Sequence, residues 1–271
     1  MNTVITGASD GIGAASALEL ARKGHRLVLV GRTASKLSAV ADQVAAITGD
    51  RPDTLTVDFT SFEDVRRVAA DLLDRCERID VLVNNAGVMS TKRQGTADGH
   101  ELMIQVNHLS PFLLTNLLLD RIKESSGRVV TTCSRAAKTG RLDPADLSRE
   151  RRKWSGWLQY GDSKQANALF TVSLAERGIA ATCVHPGVIR TGFAPGTFFM
   201  KLVLHMPGMG EPVEAGAARL THLAAHPDGV DHPGRYFAGN VPAAVPRQMS
   251  DPDLAAALWS ASLAATGHHE S

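Results

Sequence analysis

The sequence is short of cysteine, of surplus charge and of long apolar runs. Its three cysteines, Cys76, Cys133 and Cys183, lie far apart and lack the spacing of metal ligands, so we expect neither a disulfide framework nor a metal site. Cysteines of this kind suit a reducing cytoplasm. No segment reaches the ~18 to 20 apolar residues that a membrane span needs, and the chain opens on a strand-like run instead of a signal peptide. We therefore expect a soluble cytoplasmic protein.

The charges are balanced. Lys and Arg number 29 against 28 Asp and Glu, and they are scattered along the 271 residues. This pattern argues against the basic surface that nucleic acid or an acidic membrane would require, and it favours a small uncharged partner. Hydrophobic residues make up 44% of the sequence, which is enough for a substantial core. Since no repeat, linker or low-complexity tract interrupts it, residues 1–271 are expected to form a single domain.

Short apolar runs alternate with helix-like segments over most of the chain. The runs that we predict to be strands cover residues 2–6, 27–30, 54–57, 80–83, 128–132 and 179–184. Helices are predicted over 12–23, 34–47, 62–76 and 100–122, and around Tyr160. The strands are continuously apolar, as expected for strands buried on both faces, and helical connections imply parallel pairing. The predicted fold class is α/β, a Rossmann-like doubly wound parallel sheet of about seven strands with helices on both faces.

A glycine-rich turn joins the first predicted strand to the first helix. The segment TGASDGIG, residues 6–13, lets the chain turn sharply and lets a pyrophosphate approach the helix N-terminus. A glycine cluster on its own is usually only a loop, but its position at the head of an α/β alternation favours a dinucleotide site. The cofactor contacts expected here are Gly7, Ser9, Asp10, Gly11, Ile12 and Gly13.

The end of the second strand predicts which dinucleotide binds. An acidic side chain at this position would bond the ribose hydroxyls and repel a phosphate, but the chain has Arg32 here. A guanidinium offers a fork of donors that matches a phosphate. We therefore predict NADP(H) over NAD(H). The alternative is a solvated arginine at a helix entrance.

Tyr160 and Lys164 stand four residues apart in a helix-like pattern, so both side chains emerge from one face. An ammonium beside a phenol favours the phenolate, so we expect the pKa of Tyr160 to be lowered towards working pH. Such a pair would form a proton-transfer unit. On spacing alone, the pattern favours an ordinary surface pair.

Four motifs in order carry a family resemblance: TGASDGIG, then NNAG at 84–87, YGDSK at 160–164 and HPGVIRT at 185–191. They resemble the short-chain dehydrogenase/reductase family, in its compact single-domain branch. VNHLSPF at 106–112, SRAA at 134–137 and SKQANALF at 163–170 are similar to the retinol-dehydrogenase-like group of carbonyl reductases. The resemblance covers nearly the whole chain up to Thr191.

The resemblance implies a role for each catalytic residue. Tyr160 would exchange a proton with the substrate oxygen, while Lys164 would lower the pKa of Tyr160 and hydrogen-bond the nicotinamide ribose. Ser134 would hold the carbonyl oxygen near the tyrosine. Asn107 would hold a water that links Lys164 to solvent; the alternative for this residue is a structural amide that is satisfied within the core.

The resemblance also implies the remaining cofactor contacts. Asp58 would cap the adenine through its side chain, and Phe59 would supply a backbone donor. The ribose would lie beside Asn85, Ala86 and Gly87. The nicotinamide would be held by Pro186, Gly187, Val188 and Thr191.

Two segments are candidate walls of the substrate site. Residues 191–212 are rich in Phe, Met and Leu and are bracketed by Gly and Pro, so we expect a flap that covers an apolar, bulky substrate. The alternative is an amphipathic helix that packs on the domain or touches a membrane. Residues 138–157 could form the opposite wall, and their basic run RERRK is expected to be a solvated face.

The sequence thus predicts an NADPH-dependent oxidoreductase that reduces a ketone or aldehyde of a lipophilic small molecule, or oxidises the alcohol. Two alternatives stay open: a sugar-nucleotide epimerase or dehydratase, and a catalytically silent NADP-binding sensor. By the same resemblance, the outer faces of the Asn107 and Tyr160 helices could pair in a homodimer or homotetramer.

Overall fold

The computed structural model describes residues 1–189 and 210–269. Its strands are β1 Asn2–Thr6, β2 Arg26–Gly31, β3 Asp53–Thr56, β4 Val81–Asn84, β5 Arg128–Thr132, β6 Ala180–His185, β7 Tyr236–Ala238 and β8 Val241–Pro242. Its α-helices are α1 Gly11–Arg22, α2 Ala34–Thr48, α3 Phe62–Arg75, α4 Leu102–Ile104, α5 Ser110–Leu117, α6 Leu119–Glu124, α7 Gly156–Glu176, α8 Val213–Ala225, α9 Asp228–Asp231 and α10 Pro252–Thr266.

All eight strands join one sheet in the order β3-β2-β1-β4-β5-β6-β7-β8. Every pair is parallel except β7 with β8. The strand order reverses direction between β1 and β4, and ligands of open α/β sheets bind in the crevice at such a point. The predicted doubly wound parallel sheet is confirmed, with eight strands instead of about seven. The additional strand is the two-residue β8, whose Pro242 is tolerated because it lies at the sheet edge.

Helices cover both faces of the sheet because both faces of its strands are apolar. One face carries α3, α5, α7 and α10, and its core includes Ile104, Phe112 and Phe170. The other face carries α1, α2 and α8, and its core includes Leu20 and Leu29. No helix within residues 1–189 or 210–269 combines the length and hydropathy that a membrane crossing requires.

The long helix predicted over 100–122 is helical over most of its length in the structure, but it is interrupted. The structure has α4, a π-helical segment Gln105–Leu109, α5 and α6 in its place. Pro111 explains the interruption: it has no N–H, so the α-helical bond to the carbonyl of Asn107 cannot form. The π-helical turn that results places Asn107 at an irregular point of the chain, as is frequent at functional sites.

Helix α10 packs on the outer side of α5 and α7. The Trp259 ring lies 4.9 Å from the ring centroid of Phe112 and 5.9 Å from that of Phe170. A buried hydrogen bond of 2.8 Å between His108 Nε2 and Ser262 Oγ also joins α10 to the π-helical segment. The two helices whose outer faces we expected to pair between subunits therefore meet the protein's own C-terminal helix.

Candidate active site

The glycine turn between β1 and α1 is held in a shape that only glycine tolerates at several positions. Gly7 and Gly11 have φ of +67° and +53°, in the left-handed region. A Cβ on Gly13 would lie 2.2 Å from the carbonyl oxygen of Gly7, so the first turn of α1 packs directly on the strand end. Asp10 caps α1, and its Oδ1 accepts a hydrogen bond from the Gly11 N–H at 2.8 Å.

Asn85 fixes this turn from the end of β4. Its Nδ2 donates to the carbonyl oxygens of Thr6 at 3.1 Å and Gly7 at 3.5 Å, and its Oδ1 accepts from Thr132 Oγ1 at 3.2 Å. The Thr6 hydroxyl oxygen accepts from the backbone N–H groups of Asn85 and Ala86 at 3.0 Å and 3.1 Å. Because these hydrogen bonds occupy the Asn85 side chain, we expect a ribose to contact the backbone of residues 85–87 instead.

A cleft of about 460 Å³ opens above the carboxyl ends of these strands. It lies at the β1–β4 reversal, which is the place where a dinucleotide binds in this architecture. The predicted cofactor residues that line it are Gly7, Ser9, Asp10, Gly11, Ile12, Arg32, Asp58, Phe59, Asn85, Ala86 and Gly87. Gly13 lies beneath the turn and does not line the cleft. The glycine turn leaves space where any side chain would obstruct a pyrophosphate, so the residues fit the cofactor.

Two basic side chains, Arg32 and Lys36, line the adenosine end of the cleft. The Lys36 ammonium lies 2.6 Å from Asp10 Oδ2, and both side chains are more than half exposed. Asp58 also lines this end, and its Oδ1 accepts from the backbone N–H and the hydroxyl of Thr60. Lys36 is a residue that the sequence analysis missed, although it follows Arg32 by one helical turn.

Tyr160, Ser134 and Lys164 come together beside the carboxyl end of β5. None of the three lines the cleft itself, but Val88, which does, packs in the cluster that contains Tyr160. The Tyr160 side chain lies beside that of Ser134, which caps the 3₁₀ helix Arg135–Thr139 two residues after β5. The Lys164 Nζ lies 5.8 Å from the Tyr160 ring centroid. It donates to the carbonyl oxygen of Thr132 at 3.0 Å. Within the described residues this is its one hydrogen-bond acceptor, so two N–H bonds of a buried ammonium stay available for a ribose.

Burial shifts the pKa values of this pair in opposite directions. It raises the pKa of Tyr160 to about 12, although the neighbouring Ser134 side chain favours the phenolate. It lowers the pKa of Lys164 to about 8. The expected lowering of the tyrosine pKa by Lys164 is thus not found in the protein alone. The free-energy cost of removing the phenolate from water exceeds the stabilisation that these contacts give it. Tyr160 is held as a protonated acid.

Both polar atoms of the Asn107 side chain are hydrogen-bonded within the protein. Its Oδ1 accepts from the Val88 N–H at 2.7 Å, and its Nδ2 donates to the Val88 carbonyl at 3.0 Å and to Ser163 Oγ at 2.9 Å. The side chain therefore ties the segment after β4 to helix α7 between Tyr160 and Lys164. The role of Asn107 in holding a water that links Lys164 to solvent stays a prediction.

The turn after β6 contains Pro186, Gly187 and Val188, whereas Thr191 and most of the expected flap 191–212 lie outside the described residues. Arg219 of α8 donates to the Pro186 carbonyl at 2.6 Å and forms a two-point ion pair with Glu211. The Glu211 N–H donates to the Val188 carbonyl at 2.7 Å. This ion pair, which also lowers the pKa of Glu211, was not predicted from the sequence.

A second cavity of about 380 Å³ lies on the β7 side of this turn. Arg135, His185, Glu211 and Arg219 contribute charged or polar groups to its wall. Burial and the neighbouring Arg135 lower the pKa of His185 to about 4, so this histidine is neutral at physiological pH.

The expected solvated face at RERRK is wrong for Arg149. This residue is 5% exposed, and its Nε donates to Asp162 Oδ2 at 2.8 Å. Asp162 is fully buried in α7 and also accepts from the Arg141 N–H at 2.8 Å. Arg152 pairs with Asp146 at 2.9 Å. These ion pairs attach the segment before α7 to the helix that carries Tyr160 and Lys164.

Apolar side chains surround the phenol ring of Tyr160. Val88, Met89 and Trp154 pack in the small cluster that contains it. The Trp157 ring lies 6.5 Å from the Tyr160 ring, and Trp157 is 54% exposed. The side of the cleft where a substrate would approach the tyrosine therefore has an apolar floor and an aromatic rim.

The fold and this site are those of a nicotinamide-dependent oxidoreductase. The family model for short chain dehydrogenases matches residues 1–198. The chain therefore belongs to the short-chain dehydrogenase family, as its motifs predict.

Its relatives include retinol dehydrogenase-like reductases. A Streptomyces sp. (strain C5) protein, provisionally named daunorubicin C-13 ketoreductase, is 41% identical over 97% of this chain and 92% of its own length. Human retinol dehydrogenase 13 is 35% identical over 97% of this chain and 84% of its own length.

Solved structures of other proteins share this fold. An uncharacterised protein from Mycobacterium paratuberculosis has a TM-score of 0.79 at 33% identity, and the match covers 99% of this chain and 94% of that one. An alcohol dehydrogenase from Thermococcus sibiricus, solved with 5-hydroxy-NADP, has a TM-score of 0.67 at 26% identity, covering 88% of this chain and 94% of that one.

Proposed function

We propose that the protein is a cytoplasmic NADPH-dependent reductase of ketones or aldehydes, which also oxidises the corresponding alcohols. The observation that carries this proposal is the group of Tyr160, Ser134 and Lys164. A protonated buried phenol lies beside a serine and an ammonium with two N–H bonds to spare, and its apolar neighbour Val88 lines the dinucleotide-sized cleft. This arrangement holds a carbonyl oxygen and delivers a proton to it.

The residues divide the reaction between them. Ser134 Oγ donates a hydrogen bond to the carbonyl oxygen and positions it beside the Tyr160 hydroxyl. Tyr160 transfers its proton to that oxygen as the carbonyl carbon is reduced, and takes the proton back in alcohol oxidation. Lys164 binds the ribose of the cofactor and stabilises the phenolate that Tyr160 becomes. The bound nicotinamide supplies or accepts the hydride.

The preference for NADP(H) is proposed from two cations at the adenosine end. Arg32 lies where an acidic residue would bond the ribose hydroxyls, and Lys36 is one helical turn beyond it. A guanidinium and an ammonium together suit the phosphate that distinguishes NADP. The Thermococcus sibiricus alcohol dehydrogenase, solved with 5-hydroxy-NADP, is a relative that supports this assignment.

The substrate is proposed to be lipophilic and bulky. Met89, Trp154 and the exposed Trp157 give the tyrosine an apolar and aromatic surrounding. Two relatives are named for daunorubicin and retinol. A flat aromatic ketone is the substrate type that such a rim would hold best, because stacked aromatic rings gain from both burial and ring geometry.

The test is a direct assay of cofactor oxidation. Purified protein is mixed with NADPH and, in separate reactions, with daunorubicin, retinal and an aryl ketone, and the nicotinamide absorbance is followed. We expect loss of absorbance with at least one carbonyl and a higher kcat/KM for NADPH than for NADH. Tight NADPH binding without any turnover would support the sensor alternative. Conversion of a nucleotide sugar without net cofactor consumption would support the epimerase alternative.

A further inference from the structure

The C-terminal end of α8 brings together three residues of the kind that bind transition metals. His222 lies in the last turn of this helix and His226 follows one turn later, so both side chains share a face. Asp228 begins α9 two residues on. One ring nitrogen of each histidine and one carboxylate oxygen all lie within 4.8 Å of one another. The sequence analysis expected no metal site and overlooked the H-x-x-x-H spacing of this pair.

The distances between these atoms are close to those of a tetrahedral site. Asp228 Oδ2 lies 2.7 Å from His222 Nε2 and 3.3 Å from His226 Nδ1. Zinc with bonds of about 2.0 to 2.1 Å separates its ligand atoms by about 3.3 Å. The two rings stack with centroids 4.5 Å apart, so binding requires each ring to rotate towards a shared point. The bond from the Asp228 N–H to His226 Nδ1 at 3.2 Å would be given up.

Charge and exposure favour a cation at this position. The carboxylate of Asp228 and the partly negative carbonyl end of α8 both attract positive charge. The side chains of His222, His226 and Asp228 are 20%, 52% and 28% exposed, so an ion reaches them from solvent and the rings have room to turn. The opposing charge is Arg128, which donates to the His226 carbonyl at 2.6 Å.

We propose that His222, His226 and Asp228 bind one divalent transition metal ion, most favourably Zn²⁺, with water completing the coordination. Imidazole and carboxylate are the ligands that zinc takes in sites with three protein residues. The role is structural. Arg128 begins β5, whereas Ser134 follows its other end. The metal site and the catalytic group therefore lie at opposite ends of this strand.

A bound ion would close the tight turn between α8 and α9. This turn is tightly packed, since a Cβ on Gly229 would lie 2.0 Å from the Leu223 carbonyl oxygen. Its carbonyls in turn receive the Arg128 side chain at the start of β5. Linking the two helices through a metal would therefore stabilise the folded chain without altering the catalytic groups.

The test uses the full-length chain without an affinity tag, stripped of metal. ZnCl₂ is titrated by calorimetry, and the melting temperature is measured with excess Zn²⁺, for the wild type and for His222→Ala, Asp228→Asn and the control His232→Ala. The control removes a nearby histidine that is not in the cluster. We expect one equivalent of zinc and a rise in melting temperature of about 5 °C in the wild type and the control. Both effects should be lost in the other two variants.

Two outcomes would overturn the proposal. Absence of stoichiometric binding to the wild type would show that the cluster is only a hydrogen-bonded helix end. Equal heats in all four proteins would show adventitious binding only. Circular dichroism of each variant before zinc is added separates loss of the site from loss of the fold, and Co²⁺ absorption spectra, which depend on coordination geometry, report on the site in any variant that melts early.

Discussion

Arg219 donates a hydrogen bond of 2.6 Å to the carbonyl oxygen of Pro186. The same guanidinium holds Glu211, whose backbone is bonded to Val188. One side chain from α8 thus fixes the turn after β6, where the resemblance places the nicotinamide. The space around it is filled, because a Cβ on Gly187 would lie 2.2 Å from the Arg219 Nη1 atom.

We predict that Arg219→Ala raises the KM for NADPH about tenfold and changes kcat less, because the turn loses its position while Tyr160 and Ser134 are unaffected. Arg219→Lys should recover only part of the loss, since an ammonium cannot reproduce the two-point pair. Arg247→Ala, which removes an 88% exposed arginine, is the matched control. Steady-state kinetics with varied NADPH measure the effect; equal KM values in all three variants would refute it.

A second prediction concerns the buried pair of Arg149 and Asp162, whose side chains are 6% and 0% exposed. Removing one partner leaves a buried charge without compensation, which typically costs about 3 to 5 kcal/mol. Asp162→Asn and Arg149→Met should each lower the free energy of unfolding by about 3 kcal/mol in urea denaturation. Arg67→Met, which breaks a largely exposed pair with Asp64, should cost less than about 1 kcal/mol. Similar costs at both sites would contradict the burial argument.

A third prediction is that the catalytic lysine destabilises the fold. Burial lowers the pKa of Lys164 from 10.5 to about 8, so the folded state holds this proton less tightly than the unfolded chain. The cost is fully present below pH 8 and is relieved as pH rises from 8 to 10.5, where the unfolded chain alone stays protonated. Lys164→Met should therefore be more stable than the wild type at pH 7 by about 1 to 2 kcal/mol, after the lost bond to Thr132 is counted.

Urea denaturation across this pH range checks the lysine prediction. The stability difference between Lys164→Met and the wild type should shrink as pH rises from 8 to 10.5. The variant should also lose its carbonyl reductase activity, because the ribose contact is gone. A variant that is less stable than the wild type at pH 7 would show that the ammonium is better compensated in the fold than its burial indicates.

A fourth prediction tests the cofactor preference. Arg32→Asp should lower the ratio of kcat/KM for NADPH to that for NADH by about a hundredfold, because it replaces a phosphate-binding fork with a repelling carboxylate. Arg26→Asp is the control, since it places the same change at the other end of β2. Steady-state kinetics that give kcat/KM for each cofactor measure this ratio. An unchanged ratio in Arg32→Asp would assign the preference to other groups.

The sequence predicts best what is determined locally. The strand, glycine turn and helix at residues 2–22 follow from adjacent residues, and so do the apolar strands that build the parallel sheet. The break in the helix at Asn107 was missed because the apolar periodicity runs through it, although Pro111 is a visible signal. The two-residue β8 is too short for any pattern to indicate it.

Features that depend on distant residues could not be read from the sequence. Arg149 looks like part of a solvated basic run because its partner, Asp162, lies in the catalytic motif and meets it only in the fold. Arg219 has no motif, and its contact with Pro186 depends on packing of α8 beside β6. The raised pKa of Tyr160 has the same origin, since spacing shows the neighbouring lysine but not the burial of the phenol.

The most direct test of the central claim compares the two tyrosines of the chain. Tyr160 lies beside Ser134 and Lys164, whereas the buried Tyr236 hydroxyl has no hydrogen-bond partner within residues 1–189 and 210–269. NADPH oxidation with the best carbonyl substrate is measured for the wild type, Tyr160→Phe and Tyr236→Phe. We predict that Tyr160→Phe binds NADPH normally and loses about 10² to 10⁴ in kcat, while Tyr236→Phe stays within about twofold. Full activity in Tyr160→Phe would contradict its role as the proton donor.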